Sequence, residues 1–510
     1  MKLGGGMRKR VVAVLGVLLL LDPAAGRAAE LLAPSAASGG WPGWASLIRD
    51  PLFAMQSQPG PDVAGADCSE LGRSAQLTLL EAATSAVCSN PQARATLAAV
   101  KERSAALGVA RAAWLPTIVA TGTQNDSRLR STSGVGADAR TSNVNNRADS
   151  ASLVLNQVLY DFGVRSAARE KAQFDLIEAL ASQSVASQQL LYTAVQAYVL
   201  AQAKGAALQA WAESAVTALE SLRAARAKRD GGMGTRAEVL QAQAALSRVY
   251  LEQSRASTEA KIAVMELNTA IGIDVQSPTQ LPRLVAWEPQ LTAPVALQAL
   301  TAELQARHPA LIEATAQVDS MRAQLAGVQA AGRPLLAFNA SYFANGRPGN
   351  VQGQSRSGEQ YLGLTLTAPL FDGFARTYKL AQVQAQLEGV LAKRELTEAN
   401  VTREIAKSHE GLHSQPASLQ ASGDLLDAAR EAFVAAQARF GAGVGDILEL
   451  LTAQKELANA RQERVQALVN LRIAGWKLSA SLGQLDLSML QTQPMLNPAK
   501  TCIPAQSCVE

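Results

Sequence analysis

The chain lacks a long hydrophobic run, a basic tract and more than a few histidines, and each absence narrows its class. No segment reaches the roughly 18 to 20 consecutive apolar residues of a spanning helix, so helical membrane spans are not expected. Beyond the N-terminus no run of basic residues offers a surface for phosphates, which argues against nucleic acid as a partner. Only three histidines occur in 510 residues, which leaves few ligands for an imidazole-based metal centre.

The first residues have the pattern of a secretory signal peptide, predicted at 1–28. Three basic residues ending at Arg10 precede an apolar run, 11–21, and small residues follow. Cleavage after Ala28 would remove five basic residues and one acidic residue, which takes the formal charge from +4 to zero. We therefore expect an exported, neutral protein that begins with an irregular leader, 29–75, rich in Pro, Gly and Ser.

The chain has only four cysteines, Cys68, Cys88, Cys502 and Cys508. An oxidising compartment favours local disulfides, Cys68 with Cys88 and Cys502 with Cys508, although four cysteines allow three pairings. A metal site is the alternative, but no histidine neighbours any of them. We favour disulfides.

The sequence contains one long unit twice. The matched residues, spaced 211 apart, include Gly232 with Gly443, Gly234 with Gly445, Glu238 with Glu449, Leu240 with Leu451 and Gln243 with Gln454. Upstream, Pro116 matches Pro334 at a spacing of 218. The extra seven residues of the first copy therefore precede Leu159, and we expect them in an exposed loop, where repeats usually change length.

The two copies are predicted at 76–272 and 296–483. A proline-rich linker, 273–295, joins them, and a C-terminal tail, 484–510, follows. Two copies of a long unit are typical of a pseudo-symmetric scaffold or conduit more than of an enzyme.

Each copy is predicted to contain an unusually long helix, because no proline and many good helix formers occur there. The long helices are expected at 164–229 and at 375–440, the second interrupted near 411–416. Each ends in a glycine-containing turn, after which a return helix follows, at 236–272 and at 446–483. A helix of this length would measure on the order of 100 Å, which suits a coiled coil or the wall of a tube.

Alternating apolar and polar residues predict a β-hairpin with a long polar loop in each copy, at 117–160 and at 335–369. Strands of about nine or ten residues suit a tilted membrane strand. Four strands cannot close a barrel, so a membrane barrel would have to be shared by several protomers. The alternative is an ordinary soluble hairpin that covers a helical bundle.

The doubled turns resemble those of the TolC family of outer-membrane efflux and secretion proteins, over about residues 75–490. The two turn motifs are Gly232-x-x-Thr235-x-x-Glu238-Val239-Leu240-x-Ala242-Gln243 and Phe440-x-x-Gly443-x-x-Asp446-x-x-Glu449-Leu450-Leu451-x-Ala453-Gln454. Further matches are Asn90-Pro91, His308-Pro309, Leu115-Pro116, Leu159-Tyr160-Asp161 and Pro369-Leu370-Phe371-Asp372-Gly373. The start of the first copy, Ala86-Val87-Cys88-Ser89-Asn90-Pro91, further resembles the CyaE branch, which serves type I secretion.

The resemblance implies a mainly α-helical fold with a small β part, assembled as a homotrimer. Three chains would share one outer-membrane β-barrel and one periplasmic helical tube, so the expected location is the outer membrane with a large periplasmic part. The implied function is an exit duct of a tripartite system, most simply type I protein secretion, with multidrug efflux as the alternative. The implied partners are outer-membrane lipid, a periplasmic adaptor (membrane-fusion) protein and an inner-membrane ABC transporter or proton-driven pump. No cofactor and no catalytic residue are expected.

The resemblance also implies roles for the two turns, which would form the periplasmic entrance and meet the adaptor. The adaptor-contacting residues would be Gly232, Met233, Gly234, Gly443, Val444 and Gly445. Glycine permits the positive φ and close backbone approach of a tight helical turn, so these glycines would also shape the turns themselves.

The family's closed entrance carries a ring of acidic side chains, and Glu449 occupies its first position here. Three such carboxylates at an axis would favour cations. Thr452 stands at the second acidic position, and Phe440 and Gly445 stand where a tyrosine and an arginine of the gate lock are expected. We therefore expect a weaker or differently built lock. Asp446 and Glu238 complete the set of predicted gate residues. The alternative for Glu449 is that it is only a solvent-exposed residue of the helix surface.

One motif supports a competing hypothesis, an exported zinc metallopeptidase. His409, Glu410 and His413 match H-E-x-x-H, which places two imidazoles one helical turn apart with a general base between them. The single remaining histidine, His308, precedes a helix restart, and no carboxylate is marked as a third ligand. We interpret the motif as fortuitous and expect no metal.

Overall fold

The structure is a computed structural model that describes residues 76–133, 140–284, 307–346 and 356–491. All of these residues belong to one structural unit, Pro59–Glu510. The predicted signal peptide and leader lie outside the described residues, as do Cys68, Cys502 and Cys508. Part of the linker region and the last residues of the tail also lie outside them.

The first copy opens with two helices, α1 (Leu79–Ser89) and α2 (Pro91–Ala112). Between them Asn90 accepts the amide proton of Gln92 on its side chain at 2.8 Å, and Pro91 takes the first helical position, where its missing N–H is not needed. The side chain of Asn90 also donates to the carbonyl of Ala270, which ties the restart to the far end of the first copy.

The long helix of the first copy, α3 (Val164–Asp230), runs unbroken for 67 residues. At about 1.5 Å per residue it is roughly 100 Å long. The return helix, α4 (Arg236–Ala270), packs against it. Alanine dominates the buried positions of α3, and its small side chain lets neighbouring helices approach closely.

The second copy has the same order of helices, beginning with α5 (Pro309–Ala330). Its long helix is divided into α6 (Ala375–His413) and α7 (Gln415–Gly441), and only Ser414 separates them. The division follows from Pro416, which cannot donate the helical hydrogen bond to the carbonyl four residues earlier. The return helix is α8 (Ile447–Ser481), and the tail begins with one more short helix, α9 (Leu487–Gln491).

Four strands form one antiparallel sheet in the order β1-β2-β3-β4. The strands are β1 (Thr117–Ser133), β2 (Arg140–Tyr160), β3 (Leu335–Gly346) and β4 (Arg356–Thr367). The pairing of β2 with β3 joins the two copies, since each of those strands belongs to a different hairpin. β1 and β4 are the edge strands.

The prediction of a long polar loop in the first hairpin is wrong. β1 and β2 have 17 and 21 residues instead of about nine or ten, and their ladder continues to the pair Ser133 and Arg140. Backbone ladder bonds need no apolar side chains, and polar pairs such as Thr123 with Ser150 add hydrogen bonds across the strands. The first hairpin, which has seven more residues than the second, thus also has the longer strands, 17 and 21 residues against 12 and 12.

The core of the described residues consists of several apolar clusters along the helices. One cluster joins α1, α3 and α8 with the start of the tail, and another joins α1, α3 and α4. None of the described helices combines the length and the apolar character that crossing a bilayer requires. The chain is mainly α-helical with a smaller β part, and this fold class confirms the prediction.

Candidate functional site at the paired helical turns

The first candidate turn, tip 1, comprises residues 231–235 between α3 and α4. The amide of Met233 donates to the carbonyl of Lys228 at 2.9 Å, and the amide of Gly232 donates to that of Arg229 at 2.9 Å. These bonds satisfy carbonyls that the end of a helix leaves without partners. Gly232 has a φ of +78°, which a residue without Cβ adopts at no steric cost.

The second candidate turn, tip 2, comprises residues 442–446 between α7 and α8, and it closes in the same way. The amide of Val444 donates to the carbonyl of Arg439 at 3.1 Å, and the amide of Gly443 donates to that of Phe440 at 3.2 Å. Gly443 has a φ of +80°, which matches Gly232. The sequence repeat is therefore also a repeat of backbone geometry.

The second glycine of each tip is required by close backbone approach. A Cβ on Gly234 would lie 2.9 Å from the Arg229 nitrogen, and one on Gly445 would lie 2.9 Å from the Phe440 nitrogen. Backbone atoms cannot move aside as a flexible side chain can. Gly445 therefore stands where the resemblance led us to expect an arginine, and its place in the turn leaves no room for one.

The two tips differ at the start of the return helix. In tip 1, Thr235 and Glu238 form a reciprocal capping box, each side chain accepting the other's amide proton at 3.3 Å. In tip 2, Asp446 occupies the same position but its side chain makes no capping bond to the helix. Glu238, a predicted gate residue, is thus part of a helix cap.

One apolar cluster beside the tips brings α3, α4, α7 and α8 together. Its aromatic members are Phe433 and Phe440 of α7, and Phe440, in the last turn of that helix, is only 2% exposed. From the first copy, Leu222 and Val239 belong to the same cluster. The two tips, 211 residues apart in sequence, therefore share one core.

Charged side chains surround this core. The ammonium of Lys228 lies 3.9 Å from the centroid of the Phe440 ring. The guanidinium of Arg439 lies 3.7 Å from the carboxylate of Glu449, and both side chains remain about half exposed. Such an exposed ion pair stabilises a fold by less than about 1 kcal/mol, so Glu449 stays available to solvent and to other groups.

Three predicted gate residues line one shallow groove between α7 and α8. The groove is lined by Ala432, Ala436, Asp446, Leu448, Glu449, Thr452 and Ala453. Phe440 lies instead in the buried cluster, and Glu238 lies on the other tip. The structure thus places Asp446, Glu449 and Thr452 together on one surface.

The predicted adaptor-contacting turns present large apolar side chains to solvent. Met233 is 80% exposed in tip 1 and Val444 is 73% exposed in tip 2. Sequence reasoning missed two residues beside them, Lys228 and Arg439. No sequence pattern pairs Lys228 with an aromatic residue of the other copy. Arg439 could have been predicted, because it directly precedes the predicted gate residue Phe440.

The histidine motif lies at the end of α6, where His409 and His413 are one turn apart. The Nδ1 atom of His409 is buried, lies 3.5 Å from a carboxylate oxygen of Glu410 and makes no hydrogen bond. Within the described ranges, no group of three or more His, Cys, Asp or Glu residues could hold a metal ion. The described residues therefore supply no third ligand to this pair.

Cys88, at the end of α1, is bonded in a disulfide. The other three cysteines lie outside the described residues, so the pairing with Cys68 stays a prediction.

Comparison with known proteins decides the family. The family model described as outer membrane efflux protein matches residues 82–273 and 300–484, which cover most of both copies. The chain belongs to this family. Its members are proteins of the outer membrane, so the predicted location and the predicted resemblance are confirmed.

Individual members of the outer membrane efflux protein family resemble the chain along most of its length. Protein CyaE of Bordetella pertussis is 32% identical over 467 residues, which cover 89% of this chain and 96% of that protein. Outer membrane efflux protein BepC of Brucella suis biovar 1 is 26% identical over 425 residues, which cover 82% and 87%.

A solved structure of the same fold is the Campylobacter jejuni CmeC outer membrane channel. It superposes with a TM-score of 0.71 over 80% of this chain and 86% of that one, at 13% sequence identity. At that identity the likeness concerns the fold alone.

Proposed function

We propose that three copies of this chain form an outer-membrane exit duct of a tripartite transport system that serves type I protein secretion. The sheet is the part placed in outer-membrane lipid, where three four-stranded sheets share one barrel and no edge remains open. The helices form the periplasmic part. An inner-membrane ABC transporter drives transport, and a periplasmic adaptor couples the transporter to the duct. The duct performs no catalysis and needs no cofactor.

The observation that carries this proposal is the shared core of the two tips. The sheet adjoins the first residues of α3, and tip 1 follows its last residue, about 100 Å of helix later. Tip 2 joins tip 1 through the common cluster. Each chain therefore supplies one four-stranded sheet for the membrane and one pair of turns for the periplasmic entrance. A duct shared by three protomers requires both parts from each of them.

The proposed gate lies on tip 2. Asp446, Glu449 and Thr452 line one groove, and three copies of Glu449 around an axis make a ring of negative potential. The exposed turns, with Met233 and Val444 at their points, face the adaptor. Both turns are rich in glycine, and their two large exposed apolar side chains give the tips an apolar surface that a protein partner would cover.

The similarity to CyaE over most of both chains supports protein secretion as the transport that the duct serves. The alternative is multidrug efflux, and BepC, whose name describes an outer membrane efflux protein, supports it more weakly. A zinc metallopeptidase remains only a remote alternative, because the pair of histidines finds no third ligand among the described residues.

Conductance in a planar bilayer tests the duct. The purified mature protein should give discrete cation-selective steps. Glu449→Gln should lower the ratio of cation to anion permeability by about twofold or more, because the ring loses its charge. Glu463→Gln, an exposed residue farther along α8, is the matched control and should conduct like the wild type. Absence of conductance together with stoichiometric bound zinc would instead favour the peptidase.

Deletion of the gene that encodes this chain in its native host distinguishes protein secretion from multidrug efflux. Under the proposal, one or a few extracellular proteins should disappear from the medium, while susceptibility to lipophilic drugs stays unchanged. Increased susceptibility with an unchanged set of extracellular proteins would support the efflux alternative.

A further inference from the structure

The two tips are joined by one contact that crosses from the first copy to the second. Lys228 stands in the last turn of α3, and its ammonium lies 3.9 Å from the centroid of the Phe440 ring in the last turn of α7. A cation at this distance over an aromatic face is attracted by the negative potential of the ring. Because Phe440 is 2% exposed, water screens the attraction less than it would at an exposed ring.

Each partner of this contact also provides one of the two carbonyls that accept hydrogen bonds from its own turn. The carbonyl of Lys228 accepts the amide proton of Met233 at 2.9 Å, and the carbonyl of Phe440 accepts that of Gly443 at 3.2 Å. A Cβ on Gly234 would approach the carbonyl carbon of Lys228 to 3.1 Å, so the turn packs tightly onto that residue. We therefore expect that displacing either side chain would disturb the backbone hydrogen bonds of its own tip.

We infer that the cation–π pair of Lys228 and Phe440 is a lock that holds tip 2 against tip 1 and opposes opening of the entrance. This inference rests on the proposed function, since it supplies the lock of the proposed gate. A phenylalanine has no hydroxyl, so a hydrogen-bonded lock at this position is excluded by chemistry. The ring face replaces it as the acceptor of a positive charge.

The carboxylates near this contact have partners other than Lys228. Glu449 pairs with Arg439, Asp230 pairs with Arg229 at 2.6 Å, and Glu238 caps α4. Lys228 takes part in none of the ion pairs formed within the described residues. The ring of Phe440 is therefore the group that fixes the Lys228 ammonium across the two copies.

The lock is tested by conductance of four single variants and one double variant in planar bilayers. Lys228→Met keeps a long side chain but removes the charge, and Phe440→Leu keeps an apolar side chain but removes the ring. Each should raise the open probability by roughly threefold to tenfold. Lys228→Arg keeps the cation and should behave like the wild type. Lys204→Met, which removes a partly exposed lysine paired with Glu259 and farther from tip 1 in the same helix, is the matched control and should also be unchanged.

The double variant, Lys228→Met with Phe440→Leu, measures the coupling directly. If the two residues act through each other, the double variant should open no more often than either single variant. Independent effects that multiply in the double variant would overturn the inference. So would wild-type behaviour of both single variants in a preparation whose wild type conducts, and that result would leave the proposed duct intact.

Hydrogen exchange gives a second readout that needs no conduction. In Lys228→Met, peptides covering both tips should exchange several-fold faster than in the wild type, while peptides from the sheet and the melting temperature stay unchanged. If the wild type conducts nothing, the proposed function fails, and this measurement alone decides on the lock. Exchange that is unchanged at both tips would overturn it.

Discussion

The long helix of the first copy and its counterpart in the second copy hold equivalent positions in the repeat but have very different surroundings. α3 packs against α1, α2, α4, α5 and α8, and twenty of its side chains are buried. α6 and α7 occupy the same place in the second copy and together bury eight. Within one protomer, α3 is therefore a covered helix, packed against its neighbours, whereas α6 and α7 form an open helix, largely exposed to solvent.

The open helix adjoins other uncovered apolar side chains of the second copy. The exposed set includes Leu362, Leu364, Leu366, Leu370, Phe371, Phe374 and Tyr378. A surface of this kind is expected to meet a partner or a membrane. Under the proposed trimer, the neighbouring copies and the outer-membrane lipid supply the cover that the first copy finds within its own chain.

The two corners between strand and helix show the same difference at single residues. In the first copy Arg165 and Asp161 form an ion pair at 2.9 Å, both side chains are 9% exposed, and the guanidinium stacks on Trp114. In the second copy the equivalent Arg376 donates to the carbonyl of Gly332 in an exposed setting. Equal motifs therefore should not contribute equally to stability.

Arg165→Met should produce the largest effect, because it leaves Asp161 buried without its cation. We expect a loss of about 3–5 kcal/mol in the free energy of unfolding. The matched Arg376→Met removes an exposed arginine and should cost less than about 1 kcal/mol. Guanidinium unfolding followed by helical circular dichroism measures both. Equal losses would show that the two corners are equivalent and that the difference in burial has no energetic weight.

Phe371→Ala should come next and should affect assembly more than the folded chain. The side chain is 78% exposed in the protomer, so its removal costs little folding energy there. If a neighbouring copy buries it, each protomer loses about 2–3 kcal/mol of interface energy. The trimer fraction in detergent, measured by light scattering, should fall. Met233→Ala, an equally exposed change in tip 1, is the control and should leave the trimer intact.

The loss of unfolding free energy at acidic pH should be a smaller effect, and it should come from Asp161 in the corner between β2 and α3. Burial raises the pKa of Asp161, but hydrogen bonds from Arg165 and the amide of Gly163 outweigh it, so the pKa lies below its usual value of 3.8. A carboxyl whose pKa is lower in the folded state contributes stability above its unfolded pKa, and the contribution is lost as pH falls through the folded pKa.

Unfolding free energies measured from roughly pH 5 downward test this sign. The wild type should lose stability through the usual pKa and below it. Asp161→Asn should start from a lower stability and lose less over the same range, because the titrating group is absent. Parallel curves for the two proteins would exclude a stabilising role for the ionised carboxylate.

Much of this fold follows from local sequence signals. Asn90-Pro91 and His308-Pro309 begin helices, the glycines of the tips end them, and Pro416 divides the second long helix. Each signal acts through a backbone preference that needs no distant partner. The length of β1 and β2 could not be predicted in this way, because polar strands are held by backbone pairing that leaves no apolar pattern.

The candidate site could be predicted only in part, for a related reason. The turns and Glu449 were found because the repeat and the family resemblance mark them. The contact of Lys228 with Phe440 depends on how four helices pack around one cluster, and no spacing encodes it. The different burial of Arg165 and Arg376 likewise depends on which helices surround each corner.

The smallest expected effect concerns the two helix caps, where a substitution can make the tips more alike. Thr235→Ala removes a capping box and should cost about 1 kcal/mol, whereas Asp446→Ala removes no capping bond and should cost a few tenths. Asp446→Thr should build the missing box, because Glu449 already stands three residues later. Hydrogen exchange in the first turn of α8 should then slow about threefold or more. The same substitution removes the carboxylate of Asp446 from the proposed gate, so cation selectivity should also decrease. A slower exchange with unchanged selectivity would show that the cap forms and that the charge of Asp446 does not contribute to selectivity.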